Sequence, residues 1–184
     1  MYKRSMNNQN ISSSKVLPIP NYIIKKHPLS PTLAGTVTRF RGEIESILRG
    51  EDDRLLAIVG PCSIHNAEEA YQYAKSLAMI QKKVSDVFFI VMRVYCEKPR
   101  TTVGWKGLAY DPDLDGSNDI EKGLLETRKL LRKINDLGVP CACEFLDTIM
   151  PQYFADLVSW GAIGARTTES QLHRQLVSGL SMPV

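Results

Sequence analysis

Hydrophobic residues alternate along the chain between short continuous runs and helical spacing, which predicts a series of strands and helices. Val37, Phe40 and Ile44 recur at helical spacing, so a helix is predicted over residues 33–50. Four short apolar runs predict strands over residues 55–59, 87–95, 141–145 and 162–165. A further apolar run begins at residues 182–184 and predicts the start of a fifth strand.

Helices are predicted between these strands, ending near residues 84, 138, 160 and 179. Three residue pairs have the spacing of an N-terminal capping box: Asn66 with Glu69, Asn118 with Glu121, and Thr168 with Gln171. The helix after the third strand is predicted to begin at Pro151, a residue type favoured in the first turn. Continuous apolar strands separated by helices indicate a parallel sheet covered on both faces. The pattern leaves both a doubly wound sheet and a barrel open, although no GxGxxG follows the first strand.

Length and composition restrict the class of protein. The chain has 184 residues, of which 43% are hydrophobic and 23% charged, as in a globular domain. The net charge of +3 does not indicate a nucleic-acid binder, and the longest apolar run is too short to cross a membrane. The four cysteines lack CxxC spacing, and the N-terminus lacks the apolar segment of a secretory signal. A cytoplasmic protein with reduced thiols is therefore expected.

Reactive and charged side chains follow each predicted strand at its carboxyl end. They are Cys62 after the first strand, Arg93, Lys98 and Arg100 after the second, Glu144 after the third and Arg166 after the fourth. Because the carboxyl ends of parallel strands meet at one rim, these side chains are expected to line one site. Arg and Lys bind phosphate and carboxylate groups, which predicts a phosphorylated or carboxylated substrate. Each residue taken alone also has an ordinary explanation, such as a buried thiol or a local ion pair.

Four longer strings resemble one enzyme family. They are GPCSIH at 60–65, MRVYCEKPRTTVGWKGL at 92–108, EFLD at 144–147 and SWGAIGARTTESQLHRQLVSGLSMPV at 159–184. The resemblance is to the microbial, feedback-regulated type I group of 3-deoxy-D-arabino-heptulosonate 7-phosphate (DAHP) synthase. It implies that phosphoenolpyruvate condenses with erythrose 4-phosphate to give DAHP and phosphate, the first step of the shikimate pathway. It also implies an α/β fold of the (β/α)8 TIM-barrel family, here an incomplete barrel of about four β/α units over 54–184, preceded by an N-terminal arm and helix over 1–53.

The resemblance implies a role for each residue of the predicted site. Cys62 corresponds to the cysteine that binds the family's divalent metal, of the Mn, Fe, Co or Zn class, and both Cys62 and Lys98 take catalytic roles. The positions that correspond to phosphoenolpyruvate-binding residues are Arg93, Lys98, Glu144 and Arg166. Arg100 and Thr101 correspond to the contacts of erythrose 4-phosphate.

The resemblance also implies a homo-oligomer and an aromatic amino acid that inhibits the enzyme from a cavity outside the barrel. The corresponding positions are Phe145, Thr148, Pro151, Gln152, Leu176, Leu180 and Ser181. Phenylalanine or tyrosine is favoured over tryptophan as the inhibitor. The alternative for these positions is an ordinary core between helices.

Several features depart from the family pattern. Cys96 stands where the family usually has phenylalanine, and Asn66 where it usually has aspartate. The family continues beyond SMPV with GFKNGTDG and four more strand–helix units, which carry a His, a Glu and an Asp as further metal ligands. An incomplete metal site is therefore expected here. Two hypotheses remain open: a DAHP synthase, or an inactive fragment or half of a split enzyme that needs a second chain. The related synthase that uses arabinose 5-phosphate is disfavoured by KPRTTVGWKG.

Overall fold

Parallel strands lie side by side in the order in which they occur along the chain. The computed structural model describes residues 6–11 and 13–184, so positions 1–5 and 12 of the predicted arm lie outside the described residues. In this part the sheet contains β1 (Leu55–Val59), β2 (Phe88–Arg93), β3 (Cys141–Glu144) and β4 (Trp160–Ala162), in the order β1-β2-β3-β4. All three neighbouring pairs are parallel. A sequential order without reversal is that of a barrel, which confirms the predicted half-barrel and excludes a doubly wound sheet.

Helices precede, connect and follow these strands. They are α1 (Pro20–Lys26), α2 (Pro31–Leu48), α3 (Ala67–Val84), α4 (Ile120–Asp136), α5 (Pro151–Phe154) and α6 (Gln171–Gly179). Two 3₁₀ turns, Ala155–Leu157 and Ala165–Thr167, flank β4 in the described chain. None of the described helices is long and apolar enough to span a bilayer.

The predicted caps of α3 and α4 have different outcomes. The side chain of Asn66 accepts hydrogen bonds at the start of α3, including one from the backbone of Glu69, so this cap is confirmed. The predicted cap Asn118 is wrong, because Asp119 accepts the hydrogen bond from the backbone of Lys122. Asn118 instead has a φ of 54°, a left-handed conformation that an asparagine tolerates and that turns the chain into the helix.

The elements around β4 also differ from the prediction. The helix predicted over 151–160 is wrong in length, because α5 ends at Phe154 and a 3₁₀ turn follows. The strand predicted over 162–165 is displaced, because pairing with β3 places the strand at Trp160–Ala162. Thr168 does not cap α6; its hydroxyl donates to the carbonyl of Ala165 at 3.0 Å and closes the turn after β4. No described side chain caps α6.

The two faces of the sheet pack against different helices. Ile90 and Met92 of β2 belong to the large core beneath α3 and α4. Phe89 and Val91 point to the opposite face and pack in a smaller core with Phe40 of α2 and its neighbours. The guanidinium of α2 residue Arg41 donates to the carbonyl of Val158 just before β4. Helix α2 therefore covers this second face at the amino ends of the strands and leaves the carboxyl ends free.

The predicted fifth run lies along the outer edge of β4. The backbone N–H of Gly161 donates to the carbonyl of Pro183 at 2.8 Å, although residues 182–184 form no regular strand. A Cβ at Gly161 would lie 2.9 Å from Cγ2 of Val184, so a glycine permits this close approach. The chain thus continues the order of the sheet beyond β4.

Candidate active-site cleft

The loops after β2, β3 and β4 enclose a cleft of about 800 Å³ at the carboxyl ends of the strands. Four of the predicted site residues line it: Lys98, Arg100, Thr101 and Arg166. The other three, Cys62, Arg93 and Glu144, do not line the cleft itself. Lys98 connects the two groups, because it lines the cleft and also contacts Cys62.

Lys98 forms a polar contact with the exposed thiol after β1. Its Nζ lies 2.9 Å from Sγ of Cys62 and donates a hydrogen bond to it. This hydrogen bond is the largest cause that lowers the pKa of the Cys62 thiol. The positive charge of Lys98 lowers it further, and the charge of Arg93 makes a smaller contribution. A thiol with a lowered pKa is more nucleophilic and binds metals more readily at neutral pH, because the thiolate is the reactive form.

The guanidinium of Arg93 is held at the end of β2 by its neighbours. A Cβ at Gly60, where φ is 148°, would lie 3.0 Å from both Cβ and O of Arg93, so only glycine allows the loop after β1 to pass this closely. The guanidinium lies 4.2 Å from the ring centroid of Tyr95. Its buried Nε has no hydrogen-bond partner among the described residues. Arg93 thus has a buried donor that no described residue satisfies.

Arg166 is placed by the 3₁₀ turn after β4. The backbone N–H and the hydroxyl of Thr167 both donate to the carbonyl of Gly164 and fix this turn. A Cβ at Gly164 would lie 3.6 Å from Oε1 of Glu144, which places the end of β3 beside the turn. His173 of α6 donates from Nε2 to the carbonyl of Leu146 at 2.9 Å and ties α6 to the loop after β3. The charged side chain of Arg166 is exposed at the cleft.

Comparison with known proteins identifies the family. Residues 24–184 match the profile of the DAHP synthetase I family. The chain belongs to this family. It is 56% identical over 183 residues to "Phospho-2-dehydro-3-deoxyheptonate aldolase, Phe-sensitive" of Escherichia coli, covering 97% of this chain and 52% of the relative. It is 51% identical over 184 residues to the "Tyr-sensitive" protein of Salmonella typhimurium, covering 100% of this chain and 52% of the relative.

A solved structure of the same family agrees with the fold. The phospho-2-dehydro-3-deoxyheptonate aldolase of Francisella tularensis superposes with a TM-score of 0.90 and 54% sequence identity. The match covers 94% of this chain and 51% of that chain. The chain therefore spans about half the length of the relatives that it matches.

The donor set for the metal implied by the family resemblance is incomplete in this part of the chain. Within residues 6–11 and 13–184, no three His, Cys, Asp or Glu side chains converge in a way that could hold a metal ion. Cys62 is available as a single thiol donor, whereas a bound zinc ion, for example, takes about four ligands. The described residues therefore do not fit a metal by themselves, and no chemical step below depends on one.

A second cavity, of about 380 Å³, contains part of the predicted inhibitor site. Pro151, Gln152, Leu180 and Ser181 line it, together with Arg41. The other three predicted positions lie elsewhere in the structure: Phe145 is buried and stacks on Phe154, Leu176 packs against the main core, and Thr148 lines the first cleft. The prediction of these seven residues as one site remains a prediction, and four of them share a cavity.

Sequence reasoning missed several residues that line the first cleft. They include Glu97, Lys106, Tyr110 and Asp147. The backbone N–H of Lys98 donates to the carbonyl of Lys106 at 2.8 Å, which brings the second lysine of KPRTTVGWKG back to the cleft. A signal was present in the quoted strings, because Glu97 and Asp147 both belong to them. Neither string shows that the two acids meet.

Proposed function

We propose that this chain supplies part of the active site of a DAHP synthase, a transferase that condenses phosphoenolpyruvate with erythrose 4-phosphate and releases phosphate. The observation that carries the proposal is the cationic cleft. Lys98, Arg100 and Arg166 line it from two separate loops. None of the ion pairs in the described part of the chain engages these three residues. Their charges remain available for a phosphate or carboxylate ligand.

The residues divide between the two substrates in this proposal. Arg93, Lys98 and Arg166 bind the phosphate and carboxylate of phosphoenolpyruvate, with Glu144 beside them. Arg100 and Thr101 bind the phosphate of erythrose 4-phosphate. Anchoring both substrates by their charged ends holds the enol carbon and the aldehyde carbon in reacting distance, which removes much of the entropic cost of a bimolecular step. Lys98 stabilises negative charge that develops during the attack.

In this proposal the activity requires this chain together with the remaining half of the family's sequence, which lies beyond the match. The chain covers 52% of the Escherichia coli relative, and its described residues provide one thiol for the metal. Cys62 as a metal ligand is therefore proposed only together with donors outside the described residues. The alternative is an inactive fragment, or one half of a split enzyme that needs a second chain.

The test combines the 184-residue chain with the part of the Escherichia coli relative that lies beyond the match. Phosphate release from the two substrates is measured for each half alone and for the mixture, with a divalent metal ion present. We expect release only from the mixture, and a decrease of about 100-fold for Arg166→Met. Arg132→Met, on the exposed side of α4, is the matched control and is expected to retain activity. A mixture that associates but releases no phosphate would favour the inactive fragment.

We further propose a feedback inhibitor, a homo-oligomeric state and a cytoplasmic location. The names of the relatives, Phe-sensitive and Tyr-sensitive, support an aromatic amino acid as inhibitor, with phenylalanine or tyrosine preferred. The cavity around Gln152 and Ser181 combines apolar walls with the charged groups of Arg41 and Asp156, which suit the carboxylate and ammonium of an amino acid. The four cysteines are free thiols, which supports a reducing compartment.

A further inference from the structure

Glu97 is a buried acid in the cleft that the proposed mechanism does not use. The residue is 3% exposed. Its Oε2 accepts a hydrogen bond from the backbone N–H of Asp147 at 2.9 Å, whereas its buried Oε1 has no hydrogen-bond partner within the described chain. Burial of the carboxylate, and then the negative charge of Asp147, raises the pKa of Glu97 to about 8. The side chain is therefore mostly protonated at neutral pH.

The residues around Glu97 join two loops of the cleft. Tyr110, from the loop after β2, donates its hydroxyl to Oδ2 of Asp147 at 3.0 Å. The other oxygen of Asp147 accepts from the backbone N–H of Ile149 at 2.7 Å and shapes the loop after β3. Asp147 is thus held through its backbone by Glu97 and through its side chain by Tyr110.

The backbone beside Glu97 is equally constrained. Gly107 has a φ of 107°, and a Cβ at this position would lie 2.3 Å from the carbonyl oxygen of Cys96 and 2.8 Å from Cα of Glu97. The backbone N–H of Ala109 donates to the same carbonyl of Cys96 at 3.0 Å. The part of the loop that contains Gly107 and Ala109 therefore packs directly on the backbone of Glu97. Lys98 is the next residue along the chain.

We propose that Glu97 is a positioning residue for the anion-binding cleft: its buried carboxyl clamps the loop after β3 to the loop after β2 and so holds Lys98 and Arg100 in the same cleft as Arg166. The identity of the anion as phosphoenolpyruvate rests on the proposed function. The hydrogen bond of Glu97 goes to the backbone of Asp147 and not to a substrate group. Glu97 therefore acts through the residues that bind the substrate.

The charge on Glu97 affects the cleft because of the groups that surround it. Acidic neighbours are Asp147 and Glu144 from the β3 side, and the phenol of Tyr110 comes from its own loop. The thiols of Cys96 and Cys143 lie on the core side, where burial raises their pKa values, so they stay neutral. The other titratable and charged groups that line the cleft are Lys98, Arg100, Lys106, Arg166 and His173. Ionisation of Glu97 strengthens the hydrogen bond from the Asp147 amide, but it adds a third negative charge to this acidic group, and that charge opposes an incoming anion.

The experiment measures binding of radiolabelled phosphoenolpyruvate to the 184-residue chain by equilibrium dialysis, from about pH 6.5 to about pH 9.5. Wild type is compared with Glu97→Gln, Glu97→Ala and the exposed control Glu51→Gln. In wild type we expect binding to weaken by about tenfold as Glu97 ionises above pH 8. Glu97→Gln keeps an acceptor for the Asp147 amide and cannot ionise. It should match wild type near neutral pH and lose less affinity at high pH. Glu97→Ala should bind more weakly throughout.

A second measurement tests the clamp without a ligand. Hydrogen exchange of the peptide that contains residues 145–149, followed by mass spectrometry, should be slow in wild type and Glu97→Gln and fast in Glu97→Ala. A Glu97→Gln profile that falls with pH as steeply as wild type, or Glu97→Ala that binds and exchanges like wild type, would overturn the proposal. The proposed function is tested separately, by phosphate release from the mixture of the two halves. If wild type alone fails to bind phosphoenolpyruvate at any pH, the exchange of residues 145–149 decides the clamp on its own.

Discussion

Replacement of Arg128 by methionine should cost a large part of the stability of this chain. Arg128 is fully buried in α4, and its guanidinium forms a bidentate pair with Asp156 at 2.6 and 2.8 Å. It also donates to the carbonyls of His27 and Tyr153, each at 2.8 Å. One side chain thus connects the end of α1, α5 and the 3₁₀ turn before β4. Methionine retains most of the volume and removes every hydrogen bond.

The expected loss follows from the groups left behind. Removing one partner of a buried ion pair costs about 3–5 kcal/mol. The side chain of Asp156 is 37% exposed, so water partly solvates the remaining carboxylate and moves the cost to the lower end of that range. The carbonyl of Tyr153 loses its donor in the core, which adds about 1 kcal/mol. We expect Arg128→Met to lower the free energy of unfolding by about 4 kcal/mol.

The assay is urea unfolding followed by far-UV circular dichroism, with the slope m compared between variants. Lys129→Met is the matched control, because Lys129 is the exposed neighbour on the same helix turn, and its loss should stay below about 0.5 kcal/mol. Asp156→Asn examines the pair from the other side and should also destabilise. A loss below about 1 kcal/mol for Arg128→Met, with m unchanged, would refute the view that this arginine holds the three segments together.

Three further predictions concern the two cavities and the thiol. Lys98→Met should raise the pKa of the Cys62 thiol, so alkylation by iodoacetamide near neutral pH slows and the curve of rate against pH moves to higher pH; an unchanged curve would contradict the contact. Manganese should bind the 184-residue chain weakly and without fixed stoichiometry in calorimetry, and tight binding abolished by Cys62→Ala would show that further ligands are present. In the reconstituted enzyme, Gln152→Ala and Ser181→Ala should weaken inhibition by phenylalanine or tyrosine, and unchanged inhibition constants would place the inhibitor elsewhere.

Short sequence patterns predicted those elements whose limits depend only on neighbouring residues. The apolar run of β1 has the predicted bounds, and Asn66 caps α3, because a cap needs only a side chain and the first turn of the helix. The position of β4 was missed because it depends on hydrogen bonds to β3, in which Glu144 pairs with Ala162. The apolar character of residues 162–165 does not report that register. The hydrophobic pattern left a barrel and a doubly wound sheet open, and the family resemblance predicted the barrel. Neither predicted the limits of the last strand.

The candidate site shows the same division. The cations of the cleft were predictable, because each lies in the loop after a strand and parallel strands share an edge. The acid cluster beneath them was not, because Glu97 meets an amide 50 residues away and Tyr110 meets a carboxylate 37 residues away. An isolated glutamate beside a lysine in a sequence indicates a solvated loop. Its burial and its raised pKa arise only when the loops after β2 and β3 pack together.

Lys98 connects the thiol after β1 to the cleft through a single ammonium group. It donates to Cys62, and it also lines the cleft with Arg100 and Arg166. An anion that recruits this ammonium into the cleft would withdraw a hydrogen bond from the thiol, and the pKa of Cys62 would rise because that hydrogen bond is the main reason for its low value. Conversely, a ligand that takes the thiolate of Cys62 would free Lys98 to bind the anion. We therefore expect occupancy at the thiol and occupancy of the cleft to be coupled through Lys98, which follows Glu97 where Gly107 packs against it.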